Sequence, residues 1–380
     1  MPQTIKIQVN PQVLLWARKE AGYKEQDIAD KLHISSDRYI NWEATGKEIP
    51  LGILKIIANY YKRQLAVFLL PAPPPELIKP KDFRNLAMSK GELSPDTLLA
   101  MRRANKYLEL AGELLGTQYL TAQYSWQKEI ETFTKQEKKI HANIITDWLR
   151  GKLKITIDEQ QTFRGYDDAF RKWRNSIERE LGIYVFQFPL PEKELDGFCY
   201  ASKNPPYAIV INSATAKPRK IFTLFHELAH IFKHQSGICL PDIASDKQDI
   251  EFECNEFAGK FLIPDTSVFP IDNPQDLAEI ARRFKVSREV YLRRNFERKF
   301  IKKREFFGFL INLKDQKPAQ KPTPKKVPKD IKIARTVLSK STRGEKFYNL
   351  IFEAVYTNKI DFTTASDMLG LNFNHIAKNE

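Results

Sequence analysis

The chain has 380 residues, 42% of them hydrophobic, so it can bury a sizeable core, and at usual domain sizes we expect about two to four domains. No apolar run is long enough to span a bilayer, the first residues lack the apolar core of a signal peptide, and three cysteines do not make a disulfide framework. We therefore expect a cytoplasmic protein without membrane contact. The formal net charge of +14 indicates a polyanionic partner such as nucleic acid, or lysine-rich surfaces that keep the chain solvated.

Residues 1–75 are predicted to form a domain of five short helices. Apolar residues recur at helical spacing through this segment, and Gly22 marks the end of the first helix. Ser35 or Ser36 can cap the third helix through a side-chain oxygen. The proline-rich run 71–75 cannot be helical, so it predicts a stiff spacer.

Residues 76–150 are predicted to be a helical spacer region. Ser94 is a suitable cap and Pro95 a suitable first residue for a helix over 94–116. A second helix is predicted over 136–149. This region carries no recognisable chemistry.

Residues 151–314 mix both kinds of secondary structure. β-branched and aromatic residues predict strands at 182–188 and 207–213. Helical periodicity predicts helices over 170–181, 220–233 and 249–261 and a helix-turn-helix pair over 276–296.

A linker and a tail complete the chain. Residues 315–329 combine prolines with lysines, so we expect this linker to be extended and solvated. Residues 330–380 return to helices, including a short pair over 359–376. The predicted fold class is therefore mainly α with a small β-sheet, an α+β arrangement.

A group of histidines carries the most specific chemical signal. Three of the six histidines lie within nine residues, and His226 and His230 are four apart, which places both imidazoles on one helix face. They can converge on one Zn²⁺ ion. Glu227 is offset around the helix, where it can reach a water on the metal rather than the metal itself.

The third metal ligand is predicted on the next helix. Glu251 and Asn255 share one face of it, whereas Glu253 points away and Glu256 faces solvent. We therefore assign Glu251 as the ligand and Asn255 as the group that orients a histidine.

Other interpretations of these residues stay open. His234 could replace Glu251 as a ligand, and Cys239 or Cys254 could take part, although a lone cysteine is usually a small buried apolar residue. The metal could be structural rather than catalytic, and histidines at helical spacing can also occur by chance.

Residues from about 207 to 264 resemble the ImmA/IrrE family of metallopeptidases. Two blocks carry the resemblance: Phe222-Thr-Leu-Phe-His-Glu-Leu-Ala-His and Glu251-Phe-Glu-Cys-Asn-Glu-Phe-Ala-Gly-Lys-Phe-Leu-Ile-Pro264. The first block is shared by many zinc peptidases, and the pair at this spacing is much more specific. The resemblance implies a zincin-like domain, with His226, His230 and Glu251 as zinc ligands and Glu227 as general base. Cys254 stands where the family more often has alanine.

Residues 16–70 resemble the helix-turn-helix domain of phage-repressor (XRE) type. Gln26-Asp-Ile-Ala-Asp-Lys-Leu would be its first motif helix and residues 35–42 its recognition helix. By this resemblance, Ser35, Ser36, Arg38 and Asn41 could reach bases or phosphates of DNA. The domain could equally dock a protein partner, because residues 1–70 contain ten Lys or Arg against seven Asp or Glu.

The resulting prediction is a zinc-dependent endopeptidase. The resemblance implies that its substrate is a helix-turn-helix repressor, whose cleavage releases genes from repression. The strand over 207–212 is predicted to border the cleft and pair with the extended substrate backbone. The rival hypothesis is a DNA-binding transcription regulator in which the zinc site only stabilises or senses.

Overall fold

The computed structural model describes residues 5–75, 93–134, 142–191, 194–201, 204–233, 238–239, 249–271, 274–315, 334–372 and 376. Over these residues the protein is mainly α with two small sheets, which confirms the predicted fold class. The chain forms two compact units, Met1–Lys79 with Phe83–Asn105 and Pro80–Asp82 with Lys106–Glu380. The predicted domain boundaries at 75, 150, 314 and 329 stay predictions. None of the described helices is both long enough and apolar enough to cross a membrane.

The first unit is a bundle of short helices closed by a small sheet. Asn10 caps the first helix by accepting a hydrogen bond from the Gln12 amide at 2.8 Å, and Gly22 ends it with a φ of 73°. The fifth predicted helix is a 3₁₀ segment, because the prolines that follow leave room for only a short one. The elements are β1 (Lys6–Ile7), α1 (Pro11–Ala21), α2 (Glu25–Leu32), α3 (Ser36–Thr45), β2 (Ile49–Pro50), α4 (Leu51–Tyr60) and the 3₁₀ segment Leu65–Leu69, with β1 antiparallel to β2.

The helices that follow are more numerous. The helix predicted over 94–116 continues to Gln123 as α5 (Pro95–Gln123), because two helices join at Gly116, whose φ of 74° is not helical. Before the main sheet come α6 (Trp126–Thr134), α7 (Ala142–Leu153), α8 (Ile157–Gln161), α9 (Tyr166–Ser176) and the π-helical turn Ile177–Leu181. After the third strand of that sheet come α10 (Lys217–Phe232), α11 (Asp249–Leu262), the 3₁₀ turn Asp265–Ser267, α12 (Pro274–Phe284), α13 (Arg288–Glu297), α14 (Lys303–Asp315), α15 (Arg335–Arg343), α16 (Glu345–Tyr356) and α17 (Phe362–Leu369).

The main sheet has four strands in the order β3-β5-β4-β6. They are β3 (Tyr184–Phe188), β4 (Gly197–Tyr200), β5 (Ala208–Asn212) and β6 (Ile238–Cys239). Strand β5 pairs in parallel with β3 and antiparallel with β4, and β6 pairs antiparallel with β4. The predicted pairing of residues 207–212 with substrate backbone is therefore wrong, because both edges of β5 are already hydrogen-bonded within the sheet.

The sheet is covered by helices on both faces. Val185, Ile209 and Ile211 share one buried core with helix α10. On the opposite face Phe186 packs against Tyr107 of α5 and Phe347 of α16, with ring centroids 5.4 and 5.7 Å away. This three-layer packing fixes α10 against the sheet.

Gly197 allows the close approach of α10 to the sheet. A Cβ atom at this position would lie 2.8 Å from Cγ2 of Thr223 and 2.7 Å from the carbonyl oxygen of Val210. No side chain fits in that space, so only glycine at the start of β4 permits this helix–sheet distance.

An aromatic cluster holds α10 and α11 side by side. The ring of Trp173 on α9 lies edge-on to Phe225 of α10 and to Phe261 of α11, at centroid distances of 5.2 and 5.3 Å. Phe225 and Phe261 contact each other directly at 4.3 Å. Such pairs stabilise beyond their area burial, and they align the two helices that carry the predicted metal ligands.

Most predicted elements of the second unit have structural counterparts. The helix-turn-helix pair predicted over 276–296 corresponds to α12 and α13. Of the helix pair predicted over 359–376, the structure contains α17 and a helical residue at position 376. Residues 316–329 of the predicted linker and residues 136–141 of a predicted helix lie outside the described residues.

Candidate metal centre

Helix α10 presents three polar side chains to the interior. Pro218 lies in its first turn, where a missing N–H costs nothing, and the rest of the helix from Ile221 onward is buried. His226 and His230 are each 1% exposed and Glu227 is fully buried. Polar groups this deeply buried require partners, and for the two histidines these include Glu251 and Asn255 of α11.

The side chains of His226, His230 and Glu251 converge on one point. Their candidate ligand atoms all lie within 4.8 Å of one another. The Nε2 atoms of the two imidazoles are 3.1 Å apart. Each Nε2 lies 3.2 Å from an oxygen of Glu251, His226 from Oε2 and His230 from Oε1. Two helices therefore supply two nitrogens and one carboxylate to a single small volume.

The donor set fits a zinc ion. Two atoms bound at about 2.0–2.1 Å to a tetrahedral ion lie about 3.3 Å apart, close to the separations seen here. Nε2 of His226 and both carboxylate oxygens of Glu251 are acceptors that point toward the same place. A cation between them turns their mutual repulsion into attraction. With three protein ligands, a tetrahedral ion keeps one position for water.

Asn255 fixes the orientation of His226. Its Oδ1 lies 3.0 Å from Nδ1 of that imidazole. Because an amide oxygen can only accept, Nδ1 carries the proton and Nε2 directs its lone pair toward Glu251 and His230. Asn255 therefore lies where the sequence predicted a group that orients a histidine.

Glu251 is held in its ionised form. Burial alone would raise the pKa of this carboxyl group, but the imidazoles of His226 and His230, when protonated on both nitrogens in the absence of a metal, donate to it and hold the pKa well below its usual range. Its side chain is 25% exposed, in contrast to the buried imidazoles. The centre is therefore open to solvent on the Glu251 side.

The other acidic and sulfur groups near this helix pair have different roles. Glu253 forms an ion pair with Lys233, and the half-buried Glu256 pairs with Lys260 at 2.8 Å, so both carboxylates lie outside the group of candidate ligands. Cys254 is buried outside the ligand group, and burial raises the pKa of its thiol well above the usual value. His234 and the side chain of Cys239 lie outside the described residues.

A buried carboxylate that no motif predicted holds the start of α10. Asp196 precedes β4, is 3% exposed, and pairs with Arg219 of α10 at 2.6 Å. It also accepts a hydrogen bond from the hydroxyl of Thr215 at 3.2 Å. Burial raises the pKa of Asp196 although Arg219 stabilises its charged form. A carboxylate near a helix N-terminus is favourable, yet nothing in the local sequence indicates this contact.

The end of α11 is fixed by side chains from distant parts of the chain. Gln160 of α8 donates to the carbonyl oxygens of Leu262 and Phe284, both at 3.0 Å. Arg294 of α13 donates to the carbonyl of Ile263 at 3.1 Å, and Arg150 of α7 donates to that of Phe261. These bonds satisfy carbonyls that a helix terminus leaves free, and so fix the helix that carries Glu251.

The four predicted DNA-contacting residues lie on or beside α3 of the first unit. Ser35 caps α3 by accepting a hydrogen bond from the Arg38 amide at 3.3 Å, and Ser36 donates to the side chain of Gln26. The guanidinium of Arg38 lies 5.1 Å from the ring centre of Trp42. Ser35, Arg38 and Asn41 are exposed and Ser36 is half-buried. Ser36 thus also joins α3 to α2.

Comparison with known families supports the metallopeptidase resemblance. Residues 178–295 match the model of the Peptidase_M78 family, described as an IrrE N-terminal-like domain. This segment begins at the π-helical turn and contains the main sheet, the metal centre and α12. Residues 178–295 are therefore similar to a metallopeptidase-like domain, and the match covers about a third of the chain. Comparisons with curated proteins and with solved structures found no match.

Proposed function

We propose that this protein is a zinc-dependent endopeptidase that cuts a protein substrate, and that the substrate is a helix-turn-helix transcriptional repressor. The convergence of His226, His230 and Glu251 beside the fully buried Glu227 is the observation that carries the proposal. The Peptidase_M78 match over the same residues supports the reaction class.

Each side chain of the centre has a defined role in this reaction. His226, His230 and Glu251 hold the ion, and Asn255 keeps His226 in the tautomer that binds it. A zinc ion held by these side chains would supply Lewis-acid activation of a water molecule and of the substrate carbonyl. Glu227 takes the proton of the attacking water and delivers it to the leaving amine. The complete burial of Glu227 strengthens this charge interaction.

The repressor substrate is supported by the resemblance of the first unit and of the peptidase segment. Enzymes of the ImmA/IrrE type cut repressors of the helix-turn-helix class, and residues 16–70 resemble that class themselves. The exposed face of α3 then serves to reach DNA or to dock the repressor. Cleavage would regulate transcription in a stress response, a mobile element or a toxin–antitoxin setting.

Glu227→Gln tests the proposed base. The amide keeps the shape of the side chain but cannot accept a proton, so cleavage of a repressor encoded beside this gene should fall at least about 100-fold. Zinc content, measured by plasma emission spectroscopy, should stay that of the wild type, because Glu227 is not a ligand. His230→Ala should instead lose the metal.

Glu256→Gln provides the matched control, because it makes the same chemical change on α11 at a residue paired with Lys260. It should cleave as the wild type does. Normal cleavage by Glu227→Gln would refute the assigned base. A gel-shift assay with operator DNA, run beside the cleavage assay, distinguishes the proposed peptidase from the rival hypothesis. The rival, a DNA-binding regulator with a structural zinc, predicts DNA binding without any proteolysis.

A further inference from the structure

A cavity of about 240 Å³ opens beside the metal centre. It lies among the first turns of α10, the middle of α11 and helix α13. Pro218 and Phe222 line it from α10, Gly259 from α11 and Val290 from α13. The cavity is thus built within the second unit by the two ligand-bearing helices and one further helix.

One side chain joins this cavity to the metal centre. Asn255 lines the cavity, and its Oδ1 holds Nδ1 of His226 at 3.0 Å. Phe222 lies one helical turn before His226, with ring centres 6.3 Å apart. Asn255 and Phe222 thus border both the cavity and the imidazole of His226.

The walls of the cavity are mainly apolar, although the charged side chains of Glu289 and Arg293 on α13 also line it. Arg294 pairs with Asp265 and Glu297, and the guanidinium of Arg219 pairs with Asp196, so these cations are already neutralised. Phe222, Pro218 and Val290 contribute hydrocarbon. An apolar cavity of this size suits one large apolar side chain and penalises a charged one.

Gly259 sets the depth of the cavity. A Cβ atom there would lie 3.3 Å from Cδ of Arg294, so the hydrocarbon stem of that arginine crosses directly over the glycine. An added Cβ at this position would require the stem to shift by a few tenths of an ångström. The absent side chain therefore preserves the space that α10 and α13 enclose.

We propose that this cavity receives a large apolar side chain, such as leucine, phenylalanine or methionine, from one of the two residues that flank the scissile bond. The inference rests on the proposed peptidase function and adds its sequence preference. Filling an apolar pocket with additional methylene groups changes specificity about tenfold or more. Peptides with a large apolar residue at that position should be preferred over alanine by at least about this factor.

The experiment uses the zinc-loaded full-length protein and short peptides whose two central residues vary over all amino acids. Cleavage sites are read by mass spectrometry. Val290→Phe fills the cavity and should reduce the preference for large apolar residues about tenfold, whereas Val290→Ala widens it and should shift the preference toward tryptophan. Ile280→Phe, which enlarges a partly buried residue on α12 away from the cavity, should keep the wild-type profile.

A second measurement separates this inference from the proposed function. The same peptides are titrated by calorimetry against Glu227→Gln, and peptides with a large apolar residue should bind about tenfold more tightly than alanine peptides. That binding preference without any cleavage by the wild type would support the cavity and reject the peptidase. Cleavage with no apolar preference, or an identical preference in both folded Val290 variants, would reject the cavity. Neither cleavage nor selective binding would reject both.

Discussion

The hydrogen bond between Asn255 and His226 connects the two helices of the metal centre at a single pair of atoms. At 3.0 Å it selects one tautomer of the imidazole, and the other ring nitrogen then faces His230 and Glu251. Groups that orient a ligand in this way tune metal affinity without touching the metal. The strength of zinc binding should therefore depend on Asn255.

Asn255→Ala should weaken zinc binding about 10–100-fold, because His226 loses the acceptor that fixes its tautomer and ring angle. Competition with a chromophoric chelator measures the dissociation constant. Asn255→Asp retains an oxygen at the same place and should bind zinc more tightly than the alanine variant. Equal affinities for the alanine variant and the wild type would show that the hydrogen bond does not orient the ligand.

At the scale of elements, α11 is held by aromatic packing on one face and by hydrogen bonds at its end. Phe261 packs on Phe225 and Trp173, while the last carbonyls accept hydrogen bonds from Arg150, Gln160 and Arg294. The position of Glu251 thus depends on side chains that never approach the metal. This arrangement explains how a carboxylate on a separate helix reaches two imidazoles on α10.

Gln160→Leu should destabilise the protein, because it removes the donor to two buried carbonyls while conserving most of the side-chain volume. Each buried carbonyl left without a partner costs about 1–3 kcal/mol. Urea denaturation followed by circular dichroism gives the free energy of unfolding. Gln161→Leu, the adjacent and half-buried glutamine of the same helix, serves as control and should change stability by less than about 0.5 kcal/mol. Similar losses in the two variants would contradict the role assigned to Gln160.

Local periodicity predicted the elements that carry the metal ligands, and it missed those that depend on distant contacts. Helices α10 and α11 each repeat apolar residues at helical spacing, so their existence, and the face shared by Glu251 and Asn255, could be inferred. Strand β4 has four residues and begins with Gly197, too little pattern to recognise. Gln160 bonds a carbonyl 102 residues away, a contact that no local pattern encodes.

At the scale of the whole molecule, the C-terminal helices belong to the same packed unit as the metal centre. The buried Arg174 of α9 donates to the carbonyl of Ser341, and Glu178 accepts a hydrogen bond from the Lys346 amide at 3.2 Å. Phe347 packs on Tyr184 and Phe186 of β3. Residues 335–356 therefore support the sheet on which α10 rests, rather than forming a separate appendage of the second unit.

Because the proposed metal ligands come from two helices of that unit, zinc should stabilise the folded protein as a whole. An ion whose free concentration is about 100 times its dissociation constant adds about 2.7 kcal/mol to the free energy of unfolding, provided it binds only the native state. For a unit of this size that corresponds to a rise in Tm of about 5–10 °C. Removal of zinc with a chelator should lower Tm by this amount in differential scanning calorimetry, and added zinc should restore it.

Glu227→Gln should respond as the wild type does, since its carboxylate is not a ligand, and His230→Ala should not respond at all. A zinc-dependent Tm in His230→Ala, or its loss in Glu227→Gln, would mean that the ion is held by a different set of side chains.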